Sequence, residues 1–339
     1  MIREAIAKVV DRIDLSEDEM IAVMDEIMSG AATPAQIGAL ITGLRMKGET
    51  VAEITGAARV MRRKATAVEA GIGDEVLVDT CGTGGDGSGT FNVSTAAAFV
   101  VAAAGLPVAK HGNRSVSSKC GSADVLEALG VDLNLSPERV GQCIREVGIG
   151  FLFAPMLHGA MKHANGPRRE IGIRTIFNVL GPLTNPAGAN IQVLGVYAPE
   201  LTGVLAGVLG RLGSRRALVV WGEGNLDEMT VTGATRVAEW NGRQVVQYSV
   251  CPEDVGLSRA TLDDIRGADT PAEAAAQMRR VLGGETGPRL DMVLLNSGAA
   301  LMAAGRVANL LDGVVMARKT VSSGAALARV DALVGFCGA

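Results

Sequence analysis

The feature that most restricts this chain is DTCGTGGDGSGTFNVST, Asp79 to Thr95, a glycine-dense run set between a strand pattern and a helix pattern. Val76, Leu77 and Val78 begin a short buried strand, and a helix pattern follows from about Asn92 to Ala104. A strand-to-helix connection needs only a glycine or two, yet Gly82, Gly84, Gly85, Gly87 and Gly89 all fall here. Glycines let backbone amides crowd an anion, and the N-terminus of the next helix adds unpaired donors and a positive dipole end. The run therefore points to a phosphate site in an α/β fold.

What flanks the run sets the architecture. Up to about Val68 the chain reads as consecutive amphipathic helices, with a capping box at Ser16 and Glu19 and a second start at Thr33-Pro34. Beyond the glycine run, strands alternate with helices: LPVAKHG, a helix near SADVLEALG, then FLFA, IQVLGVYA and ALVVWG. TRVAEW and RQVVQYSV flank Asn241-Gly242 as a hairpin, so a mixed sheet is expected. The expected division is a helical domain over 1–70 and an α/β domain over 71–339. NGPRREIGIRTIFNVLGPLTN, 165–185, reads as a helix broken by prolines at both ends, and could lie on the sheet or complete the helical domain.

Composition narrows the function. A length of 339 residues suits about two domains. Thirty-two Lys and Arg against 36 Asp and Glu leave a net charge of −4, so no global positive field gathers nucleic acid, and an anionic ligand must be held locally. Aromatics make up only 3%, too few for a base-stacking surface. Five cysteines without CxxC spacing fit reduced thiols. The opening MIREAIAKVVDRIDLSEDEM lacks the apolar stretch of a secretory signal, and AAAFVVAAAGLPVA and MVLLNSGAALMAAG are too short or too interrupted for a span of about 20 residues. A cytoplasmic protein without membrane or nucleic-acid partners is expected.

Gly82, Gly84 and Gly87 also satisfy GxGxxG, but a dinucleotide site expects an acidic residue about 20 positions on. Lys110-His111-Gly112-Asn113-Arg114 stands there instead, and a cation suits phosphate. The Walker pattern fails as well, because no Gly-Lys-Ser/Thr follows at the required spacing. Lys110, Arg114 and Lys119, with Asn113, Ser117, Ser118 and Ser122, would surround a polyphosphate if their loop faces the glycine run. Asp227-Glu228 in GEGNLDEMT, read alone, is as ordinary as any solvated loop pair; magnesium needs only one or two such carboxylates. His111, His158 and His163 fit no zinc spacing and no nucleophilic triad, so no acid or base is assigned.

DTCGTGGDGSGTFNVST, KHGNRSVSSKCGSADVLEALG, NGPRREIGIRTIFNVLGPLTNP and GNLDEMT, in this order, resemble the anthranilate phosphoribosyltransferases nearly end to end. The resemblance implies a small helical domain joined to an α/β domain of the nucleoside phosphorylase/phosphoribosyltransferase kind, and a homodimer through the helical part. It implies transfer of a phosphoribosyl group from phosphoribosyl pyrophosphate to anthranilate, with Mg2+, in tryptophan biosynthesis. By the same resemblance, Gly82, Gly85, Asp86, Thr90, Asn92, Val93, Ser94 and Thr95 belong to the phosphoribosyl pyrophosphate loop. Lys110, His111, Gly112, Asn113, Arg114, Ser115, Val116, Ser117, Ser118 and Ser122 belong to a second phosphate segment. Ser94, Asp227 and Glu228 match magnesium ligands, and Gly82, Asn113 and Arg168 match residues around anthranilate. Leu157 stands where a histidine is expected and Gly159 where a proline is expected. Two rivals remain at this point: a pyrimidine nucleoside phosphorylase, opposed by the basic segment together with Asp227-Glu228, and a nucleic-acid-binding relative without transferase activity, opposed by the acidic balance.

Overall fold

The structure, a computed structural model, describes residues 1–73, 75–114 and 120–338. Four helices come first: α1 (Ile2–Val10), α2 (Glu17–Met28), α3 (Pro34–Lys47) and α4 (Val51–Lys64). Their starts follow from local chemistry. Ser16 with Glu19 and Thr33 with Gln36 form reciprocal capping boxes, and Pro34 occupies the first turn of α3. A third box, Thr50 with Glu53, starts α4.

The α/β part continues with β1 (Val78–Gly82), α5 (Val93–Ala103), β2 (Val108–Gly112), α6 (Ser122–Leu129), α7 (Pro137–Val147) and β3 (Ile149–Phe153). Next come α8 (Ala154–Leu157), α9 (Lys162–Ile171), α10 (Phe177–Leu180), β4 (Ile191–Gly195), α11 (Leu201–Arg211) and β5 (Arg216–Gly222). The chain ends with β6 (Thr235–Trp240), β7 (Val245–Val250), α12 (Pro271–Leu282), α13 (Pro288–Ala303), α14 (Leu310–Ser322) and α15 (Ala325–Cys337). Strand order is β3-β2-β1-β4-β5-β6-β7, parallel through β5 and antiparallel for β6 and β7. The mixed sheet and the β6–β7 hairpin agree with the sequence. Among the described residues no single helix is long and apolar enough to cross a membrane.

Two apolar cores lie on opposite faces of this sheet. Val78, Val108, Ile191 and Val193 face α5 and α13, while Leu194, Ala217 and Val219 join Met20, Leu40 and Leu44 of the first helices and Leu205 and Leu209 of α11. The helical region and the sheet therefore share one continuous core, in which each fully buried large aliphatic side chain contributes about 1.5–3 kcal/mol. Arg62 of α4 fastens the seam by donating to the Leu183 and Leu212 carbonyls at 2.8 and 3.1 Å.

Three expectations need correction. The first strand runs from Val78, not Val76. The 165–185 segment is not one helix bounded by prolines: Pro167 lies inside α9, Gly172 ends that helix in the left-handed conformation at φ 66°, and α10 is a separate turn. Its side chains Ile176, Phe177 and Leu180 pack into the core shared with α1–α4. Lys110 is not a loop cation. It belongs to β2 and is buried, because alternation along Val108, Lys110 and Gly112 points it at the α5 face.

Candidate active site

The chain runs from β1 to β2 and β3 on one side, then returns to β4 and β5 on the other, so the connections diverge between β1 and β4. In an open parallel sheet, a crevice opens beyond the carboxyl ends of the strands at such a point. Here β1, β2, β4 and β5 all finish in glycine: Gly82, Gly112, Gly195 and Gly222. Gly82 and Gly195 are register partners. The Asp227 loop presses on this edge so closely that a β-carbon on Gly195 would overlap the Asp227 carbonyl, and one on Gly82 would meet its carboxylate. At Gly222 a β-carbon would lie 2.8 Å from the Glu228 carbonyl oxygen. Glycine ends on adjacent strands are what let an acidic loop reach the crevice floor.

The carboxylates meet there. Asp227 accepts from the Gly84 amide at 2.7 Å, and its own amide lies 3.5 Å from Asp86 Oδ2. Asp86 is oriented by Ser88, whose hydroxyl and amide donate to it at 2.6 and 3.2 Å. Burial, reinforced by Asp86, pushes the Asp227 carboxyl up to about 7. Glu228 is driven well above the usual range by burial and then by Asp227, against the opposing charge of Lys110 and a backbone hydrogen bond from Ser94 at the N-terminus of α5. Among the described residues no Lys or Arg forms an ion pair with Asp86, Asp227 or Glu228. Three partly buried acids, crowded together and without a paired cation among the described residues, are the donor chemistry a hard divalent ion satisfies. Among the described residues no three His, Cys, Asp or Glu enclose a metal by themselves, so such an ion would need oxygen ligands from water and substrate.

The second phosphate segment divides. Lys110 Nζ donates to the Thr80 and His111 carbonyls at 2.7 and 3.3 Å. Thr80 also gives its hydroxyl to the Ser94 carbonyl at 2.8 Å, tying β1 to α5. His111, pointing to the opposite face, places Nε2 3.2 Å from His158 Nε2. Burial holds both rings neutral, His111 lowered to about 3 and His158 to about 4. Arg114 is engaged with Asp124 at 2.8 Å and Glu127 at 2.9 Å. Asn113 Oδ1 accepts from the Arg114 amide, and the Asn113 carbonyl accepts from the Ser122 hydroxyl. Ser115, Val116, Ser117, Ser118 and Lys119 lie outside the described residues.

Of the glycine run, Asn92 stands at the N-cap of α5 without a side-chain capping bond, and Val93, Ser94 and Thr95 form the first turn. Thr90 bridges to Arg266, and Gly85 takes φ 74°. Arg168 sits in the last turn of α9, not the first turn of a helix; burial lowers its guanidinium pKa, and it lies 5.2 Å from the Phe177 ring centroid. Arg169 beside it is exposed.

Several contributors escaped sequence reasoning. Gly195 and Gly222 are two of them, glycines that look ordinary in the sequence and gain a role only where β1, β4 and β5 lie side by side. Asp79 is fully buried, accepting from the His111 amide at 3.1 Å and the Asn185 amide at 2.9 Å. Burial first, opposed by Lys110, raises its pKa. Arg174 donates to the Gly85 carbonyl and stacks 4.2 Å from the Tyr197 ring centroid, linking the segment after α9 to the glycine run.

Comparison with known proteins bears on this crevice. The glycosyl transferase family models match in two parts, the helical bundle domain over residues 3–65 and the a/b domain over residues 74–327. Anthranilate phosphoribosyltransferase of Desulfotalea psychrophila is 66% identical over 336 residues, covering 99% of this chain and 97% of that protein. The chain belongs to the anthranilate phosphoribosyltransferase family. The family member from Trichlorobacter lovleyi is 58% identical over 345 residues, covering 98% of this chain and 99% of that protein. The anthranilate phosphoribosyltransferase structure from Thermus thermophilus matches with a TM-score of 0.93 at 47% identity, covering 99% of each chain. The Saccharomyces cerevisiae anthranilate phosphoribosyltransferase, solved with phosphoribosyl pyrophosphate and Mg, matches at 0.87 and 28% identity, covering 99% of this chain and 98% of that one.

Membership puts the two departures in context. Leu157 is buried with Val68, Ala109 and Leu152, so an apolar side chain fits that position. Gly159 has open space around its β-position and no left-handed backbone. Nothing in the packing requires glycine there.

Proposed function

We propose that this protein transfers the 5-phosphoribosyl group of phosphoribosyl pyrophosphate to the amine of anthranilate, releasing pyrophosphate, as a Mg2+-dependent pentosyltransferase of tryptophan biosynthesis. The observation that carries the reading is the meeting of two opposite demands in one crevice. A glycine run and the N-terminus of α5 suit phosphate, and directly against them Asp227 and Glu228 crowd two carboxyls that resist ionising without a cation beside them. A diphosphate with a divalent cation answers both.

In this reading Ser94, Asp227 and Glu228 hold magnesium, which when bound would neutralise charge developing on the leaving pyrophosphate. The chain's own groups do the rest. The Gly82–Thr95 amides and hydroxyls seat the diphosphate, and Lys110 keeps a positive charge beneath it without leaving the sheet. Arg168 takes the anthranilate carboxylate, its planar fork matching two oxygens, while Gly82 and Asn113 border the ring. The aromatic amine is neutral at pH 7 and needs no base; aligned with the anomeric carbon it displaces pyrophosphate with inversion. His111 and His158, neutral and hydrogen-bonded to one another, suit an uncharged wall of the aromatic site.

The reading also includes a helical domain over 1–70, completed by part of 165–185, an α/β domain over 71–339, and a homodimer through the helical part. The deciding experiment follows anthranilate fluorescence after mixing protein, anthranilate and phosphoribosyl pyrophosphate with and without Mg2+. The signal should change only with all components present. Phosphorolysis of thymidine or uridine in its place would reverse the reading.

A further inference from the structure

The segment MVLLNSGAALMAAG reads as a buried helix interrupted by Asn296, Ser297 and Gly298, and α13 is buried from Met292 to Ala303. An asparagine in such a place is unfavourable twice over. It is a modest helix former, and its amide loses water on burial. Only hydrogen bonds offset that cost, so where they go is informative.

Its oxygen and both of its amide hydrogens are engaged. Asn296 Oδ1 accepts from the Met229 amide at 3.0 Å, and Nδ2 donates to the Met229 carbonyl at 2.8 Å. The second Nδ2 hydrogen goes to the Met292 carbonyl one turn back, at 2.9 Å, which locks the side-chain rotamer. The side chain thus imitates a neighbouring β-strand for one residue only, and that residue directly follows Glu228. Met229 is itself buried at 1% exposure, so its amide and carbonyl cannot turn to water. On the opposite side the glycine ends of β1, β4 and β5 bear against Asp227 and Glu228. The acidic loop is gripped between a glycine floor and one asparagine.

We propose that Asn296 is a positioning residue for the reaction: by clamping both backbone groups of Met229 it sets where the Asp227 and Glu228 carboxylates meet the cation. This deepens the function proposed above and rests on it for the role of the two acids. Outer partners of metal ligands are worth about 10- to 100-fold in metal affinity, and that factor fixes the expected effect.

The experiment combines magnesium titration of turnover in Asn296→Leu and Asn296→Ala with hydrogen exchange at the Met229 amide of the parent enzyme. Met229 should exchange as slowly as the sheet strands. Both variants should need about 10- to 100-fold more Mg2+ for half-maximal turnover, recover most activity when it is saturating, and keep the parent KM for anthranilate. Ser297→Ala, which removes an equally buried hydroxyl bonded only to the Val293 carbonyl of its own helix at 2.7 Å, should keep the parent magnesium requirement. Free exchange of Met229 in the parent overturns the clamp whether or not the variants fold. So does an unchanged magnesium requirement, or a loss of turnover equal at every magnesium concentration. A parent enzyme without magnesium-dependent transfer would instead sink the proposed function, leaving Met229 protection to judge the clamp on its own.

Discussion

Arg168 and Arg169 are neighbours in sequence but not in environment. Arg169 is exposed, whereas Arg168 is partly withdrawn from water over Phe177 and, among the described residues, has no carboxylate partner. A desolvated guanidinium without an anion is poised to take one. Arg168→Ala should therefore cost about 1.5–3 kcal/mol, or roughly 10- to 150-fold in kcat/KM for anthranilate, with little change for phosphoribosyl pyrophosphate. Arg169→Ala should leave both unchanged; steady-state kinetics against each substrate checks this, and equal losses for both substrates would refute the carboxylate role. The histidines carry a second prediction. Because burial depresses both pKa values below the ordinary 6.5, the folded state resists protonation that the unfolded chain accepts. Stability is full above pH 6.5 and falls as the pH drops towards about 4 and about 3, by about 2 kcal/mol per histidine at pH 5. His158→Gln should lose correspondingly less between pH 7.5 and 5, read by thermal unfolding; an equal loss would mean that the pair titrates normally. At this scale the sequence was legible by residue type and less so by depth. Lys110 was recognisable as a cation near phosphate, but its burial follows from strand alternation, a weak signal over five residues. Arg114 was recognisable as basic, yet Asp124 and Glu127 one and two turns along α6 capture it, a pairing that depends on how loop and helix fold together.

The elements that build the crevice are glycine-ended strands and the loop lying on them. Gly195 is the most exposed to test, because its backbone is ordinary β-strand and only the Asp227 carbonyl forbids a side chain. Gly195→Ala should push the 223–229 loop off the sheet edge, costing about 1–3 kcal/mol as an overpacked site and abolishing most magnesium-dependent turnover. Gly159→Ala, with open space at its β-position, should change neither stability nor turnover. Activity and denaturant midpoints of the pair check the argument, and a fully active Gly195→Ala would show that the loop can move at no cost. The helices were legible because their starts are written locally: Ser16-Glu19 and Thr33-Pro34 were read from the chain, and Thr50-Glu53 has the same signature. The segment from 165 to 185 misled because Pro167 is tolerated within α9, so the usual helix-breaking rule placed the boundary wrongly and put Arg168 at the wrong end of its helix. The sheet-edge glycines were unread because their meaning arises only when four separate strands are side by side.

At the scale of the molecule, the shared core and the Arg62 seam tie α4 to the sheet, which leaves α1 and α3 as the outer face of the helical part. That face is unusually apolar at one end. Val10 is 67% exposed, Ile13 51% and Met46 72%. They share a surface, because Val9 packs on Gly43 and Lys47 donates to Asp14 at 2.7 Å, drawing the end of α1 onto the last turn of α3. Exposed apolar patches of this kind mark contact surfaces, and a second copy of the chain is the occupant that the proposed homodimer supplies. Three side chains cannot provide the roughly 800 Å² per partner of a stable interface, so the contact must extend along α1 and α3. Val10→Glu combined with Met46→Glu should then convert a dimer at micromolar concentration into a monomer, by burying two charges without partners. Val315→Glu is the control, since Val315 is equally bare at 60% but lies on α14, away from the helical part. Sedimentation velocity decides: a dimer that survives the double substitution, or one that dissociates with Val315→Glu instead, would move the interface off the helical face.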